Sequence, residues 1–242
     1  MQETAKTFNE IVEKRKSFRI FDAEKPITDD VVKRSLERAI LAPNSSNMQL
    51  WEFYIVKKEA DKKALAEICM NQSGAKTASQ MVVFVCRPDK WKHRQQAIIK
   101  SLDNNFESRD SAGAKGAYMY YEKLIPMLYD SSFATFKNII KAGVVWYKGL
   151  KAPFVRDVYS SDVAIIVNKS TALAAQTFML SISSEGFDSL PMEGYDSKRL
   201  KSFLKLPKSV MIAMVVAVGT GKPEGLYGPR FRIPYEQVVF EV

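Results

Sequence analysis

Two short apolar runs, set among mostly helical patterns, constrain the fold of this chain more than any other feature. The run MVVFVC at 81–86 is rich in β-branched residues, and MIAMVVAV at 211–218 is also no longer than a strand. Both predict strands buried within a sheet. Because helix and strand patterns alternate irregularly around them instead of forming strict βαβ units, we predict an α+β fold with a central mixed sheet wrapped by helices.

The remaining patterns place the other elements. Helices are predicted around the stripe Phe8, Ile11 and Val12, after Thr28 as far as Pro43, over EADKKALAEICM at 59–70, over most of 91–150, and over STALAAQTFMLSISSEG at 170–186. Further strands are predicted at WEFYIVKK from Trp51 and at SDVAIIVN, residues 161–168. Since no linker or internal repeat interrupts these patterns, we expect residues 1–242 to form a single domain.

Composition places the chain among ordinary globular proteins. Its 242 residues are 46% hydrophobic, which can supply a substantial core, and no run of about 18 apolar residues is present. The N-terminus is too charged for a signal peptide, so we expect a cytoplasmic protein with no membrane attachment. Cys69 and Cys86 have no motif spacing between them, which favours buried thiols over a disulfide.

A net charge of +9 favours anionic partners. Nucleic acid, an anionic membrane and phosphate-bearing small molecules all fit that charge. The basic residues are scattered along amphipathic segments, however, and no RNP, zinc-finger or helix-turn-helix pattern accompanies them. We therefore interpret most of them as a solvated basic face and expect no nucleic-acid partner.

The inventory of catalytic residue types points away from side-chain nucleophiles. His93 is the single histidine, which leaves no His-based metal cluster and no Ser-His-Asp triad. The segment GTGKPEG at 219–225 contains Pro223 and opens no helix pattern, so it is interpreted as a turn and not as a nucleotide-binding loop. If chemistry occurs, we expect an organic cofactor to carry it and a metal site to be absent.

Three stretches could bind such a cofactor. EKRKSFRIFD places Arg15, Ser17 and Arg19 two residues apart where a helix gives way to extended chain, and GPRFRIP places Arg230 and Arg232 likewise. The segment 44–49 is dense in amides and hydroxyls, which are suited to the mixed donor and acceptor edges of a planar heterocycle. An exposed basic element end remains the alternative for each Arg-containing stretch taken alone.

Together these stretches resemble the nitroreductase family of flavoproteins. Five segments match in order along nearly the whole chain: RKSFRIFD, APNSSNMQLWEFYIV, ASQMVVFV, SLPMEGYD and PRFRIP. The resemblance implies an α+β fold with a mainly antiparallel sheet and an intertwined homodimer with FMN at the subunit interface. It also implies transfer of hydride from NADH or NADPH to nitroaromatic, quinone or related acceptors by a ping-pong mechanism.

The resemblance also implies roles for individual residues. Arg15, Ser17, Arg230 and Arg232 match the clamp on the FMN phosphate and ribityl chain, with Lys16 beside them, and Arg19 matches the basic residue at the pyrimidine side of the flavin. The other implied flavin contacts are Pro43, Asn44, Ser45 and Asn47 with Gln49 in support, which one subunit lends to its neighbour, and Asn71, Ser170, Pro191, Met192, Glu193 and Gly194.

Some positions depart from the family pattern. A basic residue three positions after Asn71 is replaced by Gly74, and whether Lys76 substitutes for it is left open; Ser170 stands where the family has a Gln. By resemblance, helices within 91–150 form the substrate-pocket wall, and we predict that Phe133 or Phe136 lines a site for aromatic acceptors. The alternatives are a flavin-dependent dehalogenase or other non-nitro reductase, a flavin-binding protein without turnover, and a nucleic-acid binder.

Overall fold

The computed structural model describes residues 3–130, 134–153, 155–157 and 159–242, and leaves undescribed the side chains of residues 112, 134–141 and 160. The helices are α1 Glu3–Lys14, α2 Asp29–Ala39, α3 Glu59–Ile68, α4 Ser73–Thr77, α5 Trp91–Asn105, α6 Ala112–Met119, α7 Ile125–Tyr129, α8 Ala134–Lys151, α9 Ser160–Ser184 and α10 Ser197–Phe203. The strands are β1 Trp51–Val56, β2 Gln80–Cys86, β3 Asp188–Met192 and β4 Met211–Gly219.

The strands form one sheet in the order β1-β2-β4-β3, and each neighbouring pair is antiparallel. Within the described residues, the parallel component of the predicted mixed sheet is a single bridge between Ser17 and Ser189. The predicted α+β fold is confirmed, as are the strands predicted at Trp51, 81–86 and 211–218.

Burial on both faces explains why β2 is apolar throughout. Alternate side chains of a strand point to opposite faces, and every residue of β2 is buried. On one face, the ring of Phe84 lies 5.5 Å from that of Phe178 in α9. On the other, Val83 belongs to a cluster with Leu65 of α3 and Leu200 of α10. The sheet therefore forms the middle layer of three.

Residues 161–168 are helical, so the strand predicted there is wrong. They form the first turns of α9, whose start is fixed by the backbone N–H of Tyr159 donating to Asp162 Oδ2 at 2.9 Å. Val163 and Val167 are buried and lie four residues apart, on one face of the helix. The segment is rich in β-branched residues, which favour strands. Its buried residues nevertheless recur at the spacing of a helix.

Three further features concern the ends of α2, the two cysteines and the side chains able to bind a metal. Thr28 occupies the N-cap position of α2, but its side chain makes no cap hydrogen bond, and the helix ends at Ala39, before Pro43. Cys69 and Cys86 are buried free thiols as predicted, and burial raises the pKa of each to about 11. Within the described chain, the acidic, His and Cys side chains form no group able to hold a metal ion.

The long helix α9 passes through the core. Its segment Ser161–Ser184 is long and apolar enough to span a membrane, but 44% of its most apolar window is buried inside the protein. It packs against α2, β2 and β4. These are the surroundings of a core helix.

The C-terminal segment, residues 228–242, lies outside the three layers. Each of its side chains is exposed, including Phe231 and Phe240, which are both 74% exposed. Large apolar side chains concentrated on one extended segment are typical of an interaction surface.

Candidate functional site

The chain brings its two Arg-containing stretches together, although they lie more than 200 residues apart in sequence. Residues 15–19 follow α1 and are held to the sheet edge by the Ser17 bridge to Ser189. Four of these five residues and all of residues 226–232 line a cavity of about 380 Å³. Its lining includes six of the predicted site residues, Arg15, Lys16, Ser17, Arg19, Arg230 and Arg232. We refer to these six as the basic cluster.

Like charges meet in the basic cluster. Arg15 is half-buried, and its pKa is lowered first by burial and then by the positive charges of Arg230 and Arg232. A lowered pKa means that the charged form of Arg15 is held in an unfavourable environment. An anion bound among the three guanidinium groups would relieve both effects, since it would supply opposite charge and hydrogen-bond acceptors.

Arg230 also hydrogen-bonds to the end of α1. Its guanidinium donates to the carbonyl oxygens of Val12 at 3.3 Å, Glu13 at 2.9 Å and Arg15. These carbonyls belong to the C-terminal end of α1, where backbone acceptors lack helical partners and a cation is favoured. Arg230 therefore fastens the C-terminal segment to α1, whereas Arg232 donates locally, to the Phe231 carbonyl at 2.7 Å.

Arg19 is oriented by its neighbours. Its guanidinium carbon lies 4.8 Å from the ring centroid of Tyr227, within cation–π range, and its backbone N–H donates to Gly225 O at 3.0 Å. A Cβ atom at Gly225 would lie 2.7 Å from the nitrogen of Ile20, so only glycine permits this approach. Tyr227 was not among the residues predicted from sequence, because a lone exposed tyrosine carries no motif.

The segment from Pro191 to Gly194 continues from the basic cluster along β3. Met192 is buried in the core, whereas Glu193 and Gly194 are exposed. Gln72 donates from Nε2 to Gly194 O at 2.7 Å, which brings Asn71, a left-handed residue with φ 54°, to this edge. Asn71 and residues 191–194 thus lie together, as the sequence predicts.

Gly74 is buried beside this edge. A Cβ atom there would lie 2.3 Å from Leu190 Cδ2, so a basic side chain could not occupy the position without displacing a core residue. Lys76 is exposed at the end of the short helix α4.

The amide-rich loop, residues 43–49, has an unusual backbone. Ser46, Asn47 and Gln49 adopt left-handed conformations, with φ values of 55°, 49° and 48°. Asn44 closes the loop, since its Oδ1 accepts from Gln49 N at 2.8 Å and its Nδ2 donates to Ala42 O at 3.3 Å. Much of the amide content therefore holds the loop in shape, a role that the sequence did not reveal.

Ser170 anchors this loop to α9. Its hydroxyl accepts from Ser45 N at 3.2 Å and donates to Ile166 O at 3.0 Å. A cavity of about 320 Å³ lies here, lined by Pro43, Asn44, Ser45, Ile166, Lys169, Ser170 and Leu173. Pro43, Asn44, Ser45 and Ser170 are therefore neighbours within one chain.

The loop and the basic cluster are separated in space, because they are connected to different positions along α9. The loop is anchored at Ser170, whereas the end of α1 that leads into the basic cluster is anchored by Ser183, whose hydroxyl donates to Ile11 O at 3.1 Å. Thirteen residues of α9 separate the two anchors, which at 1.5 Å per residue is roughly 20 Å. Phe133 lies outside the described residues, and Phe136 lies in α8 but its side chain is not described.

The family model for the nitroreductase family matches residues 12–220. The chain belongs to the nitroreductase family. This nitroreductase-family chain is 26% identical to a protein of Thermus thermophilus named NADH dehydrogenase, over 93% of its own length and 91% of that protein's.

Solved structures share the fold. The crystal structure of ydfN from Bacillus subtilis matches with a TM-score of 0.76 at 19% identity, covering 99% of this chain and 100% of that one. A protein of Exiguobacterium sibiricum solved in complex with FMN matches with a TM-score of 0.67 at 20% identity, covering 97% of both chains.

The close approach at Gly225 generates a prediction about the site. Gly225→Ala should place a methyl group against the Ile20 backbone, displace the Arg19 segment and lower the free energy of unfolding by about 1–3 kcal/mol. Chemical denaturation measures that loss. Gly228→Ala is the matched control, because a Cβ atom there meets no atom within 4 Å; equal stability of the two variants would contradict the proposed constraint.

Proposed function

We propose that this chain is an FMN-dependent NAD(P)H oxidoreductase. The observation that carries the proposal is the basic cluster, in which Arg15, Arg230 and Arg232 meet at one cavity. The edge strand β3, which is bridged to Ser17, leads from there to the exposed residues Glu193 and Gly194. A phosphate bound among the guanidinium groups would place the rest of an extended cofactor along that edge. Family membership supports FMN as that cofactor.

The side chains of the basic cluster and the backbone at Glu193 and Gly194 are chemically suited to FMN. Arg15 and Arg232 would bind the phosphate, with Lys16 and Ser17 beside them, and Arg19 would face the flavin ring, where a cation stabilises negative charge. Backbone groups at Glu193 and Gly194 would orient the ring, since glycine leaves room for close approach. These contacts supply binding and positioning, which suits a chain whose one histidine, His93, is exposed on α5.

FMN, when bound, supplies the hydride chemistry between NAD(P)H and an acceptor. The donor and acceptor would occupy the same position in turn, giving ping-pong kinetics, with nitroaromatic, quinone or related aromatic compounds as acceptors. We assign the acceptor wall to helices within 91–150, including Phe133 or Phe136, and place the enzyme in the cytoplasm. A dehalogenase or another reductase of this fold would share the flavin site and differ in acceptor.

A homodimer follows from the separation of the two parts of the site. The loop at 43–49 and the basic cluster are anchored roughly 20 Å apart on one chain, so we propose that each chain lends its loop to the flavin of its partner. Apolar surface supports this. Helix α1 has no buried residue, Ile165 and Leu173 of α9 are exposed, and so are Phe231 and Phe240 of the C-terminal segment. Together these surfaces could supply a large apolar interface.

The spectrum of the purified protein tests the function. We expect flavin absorption bands in the visible range, or their appearance after addition of FMN, and bleaching when NADH or NADPH is added without oxygen. A flavin-binding protein without turnover would be yellow and would not bleach. A protein that stays colourless with added FMN, or that binds DNA or RNA with strong salt dependence, would contradict the proposal.

Arg232 provides the sharpest test of the phosphate clamp. Arg232→Ala should remove charge-assisted hydrogen bonds worth about 1.5–3 kcal/mol, and so weaken FMN binding roughly 10- to 150-fold at unchanged thermal stability. Arg230→Ala should weaken FMN binding and also lower the melting temperature, because it removes donors to the end of α1. The control is Arg199→Ala, which removes an exposed arginine on α10. If FMN titration gave Arg232→Ala the same FMN affinity as this control, the phosphate would have to bind elsewhere.

The dimer has its own test. Sedimentation of the FMN-loaded protein at micromolar concentration should give a dimer, and removal of residues 229–242 should reduce both dimerisation and FMN affinity. A loaded protein that sediments as a monomer would exclude a site built from two chains.

A further inference from the structure

Two consecutive tyrosines contact Ser46, one of the three left-handed residues of the loop at 43–49. Tyr121 donates from its hydroxyl to Ser46 O at 3.0 Å, and the hydroxyl of Tyr120 lies 2.6 Å from Ser46 Oγ. Ser46 has a φ of 55°, a conformation that a residue with a Cβ atom seldom adopts. The loop is therefore held from outside as well as by its own amides.

A regular α-helix would separate the side chains of consecutive residues by about 100°. Residues 120–124 instead form a π-helical turn, in which Ile125 N–H bonds to Tyr120 O, five residues back. The wider turn reduces the angle between Tyr120 and Tyr121, whose rings meet edge to face at 5.3 Å. Both hydroxyls consequently reach the same residue, Ser46.

Pro126 accounts for the π turn. Proline has no N–H to give to the carbonyl of residue 122, and its ring clashes with that carbonyl in an α-helix, so the backbone widens before it. The Tyr121 carbonyl then loses both of its helical donors, because Ile125 N–H bonds elsewhere and Pro126 has none. Gln95 of α5 replaces them by donating from Nε2 to Tyr121 O at 2.6 Å. The helical segment thus continues through Pro126 with one widened turn before it.

We infer that Tyr120 and Tyr121 are positioning residues, which the Pro126-dependent π turn presents to Ser46 so that the loop keeps the shape needed at the flavin. The inference rests on the proposed function for the loop's contact with flavin, and on the observed geometry for the clamp itself. Tyr120 and Tyr121 belong to the helical segment 91–150, and their role here is to position the loop and not to line the acceptor pocket. The loop is pre-organised before the cofactor arrives, which favours binding.

The test combines two readouts on the full chain. In the Tyr120→Phe/Tyr121→Phe variant, amide hydrogen exchange of residues 44–49 should become several-fold faster, and FMN binding should weaken roughly two- to tenfold, as for the loss of neutral hydrogen bonds. Visible circular dichroism of bound FMN should change as well. Tyr118→Phe is the matched control, since it removes a hydroxyl of α6 that bonds to Asp103 and not to the loop.

A second variant separates positioning from simple stability. Pro126→Ala restores the backbone donor, so the helix should regain regular α geometry without loss of thermal stability, yet loop exchange should rise and FMN affinity should fall. Unchanged loop exchange in the tyrosine variant would overturn the clamp, and faster exchange with unchanged FMN binding would overturn its link to the cofactor. A wild-type protein without FMN affinity would refute the proposed function alone, because loop exchange is measured without flavin.

Discussion

Burial of β2 on both of its faces is the constraint from which the rest of the architecture follows. A strand with no solvent-facing side chain needs a layer of helices above and below it, and α9 on one face and α3 with α10 on the other meet that need. The neighbouring β4 is then also covered, and β3 is left at one edge of the sheet. That edge receives the basic cluster through the bridge at Ser17.

In the basic cluster of the proposed site, the fold sustains an electrostatically unfavourable arrangement. Arg15, Arg230 and Arg232 repel one another, and burial of Arg15 adds to the unfavourable energy. Favourable contacts elsewhere hold them, notably the bonds from Arg230 to the carbonyls at the end of α1. Violations of local stability of this kind are expected at binding sites, where a ligand completes the charge balance.

Much of the site could be predicted from sequence because its signals are local. Alternating arginines at each end of the chain, and a polar loop between a helix and a strand, are visible without knowledge of tertiary contacts. The error at residues 161–168 arose because β-branched residues suit a strand, whereas their packing along α9 follows a helical period. The contacts of Tyr120 and Tyr121 with Ser46 could not be predicted, since they join residues 74 and 75 positions apart in sequence.

The long helix α9 links the two parts of the proposed site and also keeps them apart. Ser170 and Ser183 fix the loop and the end of α1 to the same rigid element, so their separation is set by helix geometry and not by flexible chain. In the proposed dimer, each flavin would therefore be bound by the basic cluster of one chain and by the loop at 43–49 of its partner. A change in the loop, or in the tyrosines that contact it, would then alter the environment of the flavin ring without disturbing the phosphate clamp. The loop and the clamp are anchored at separate positions of α9, and distant sites act nearly independently.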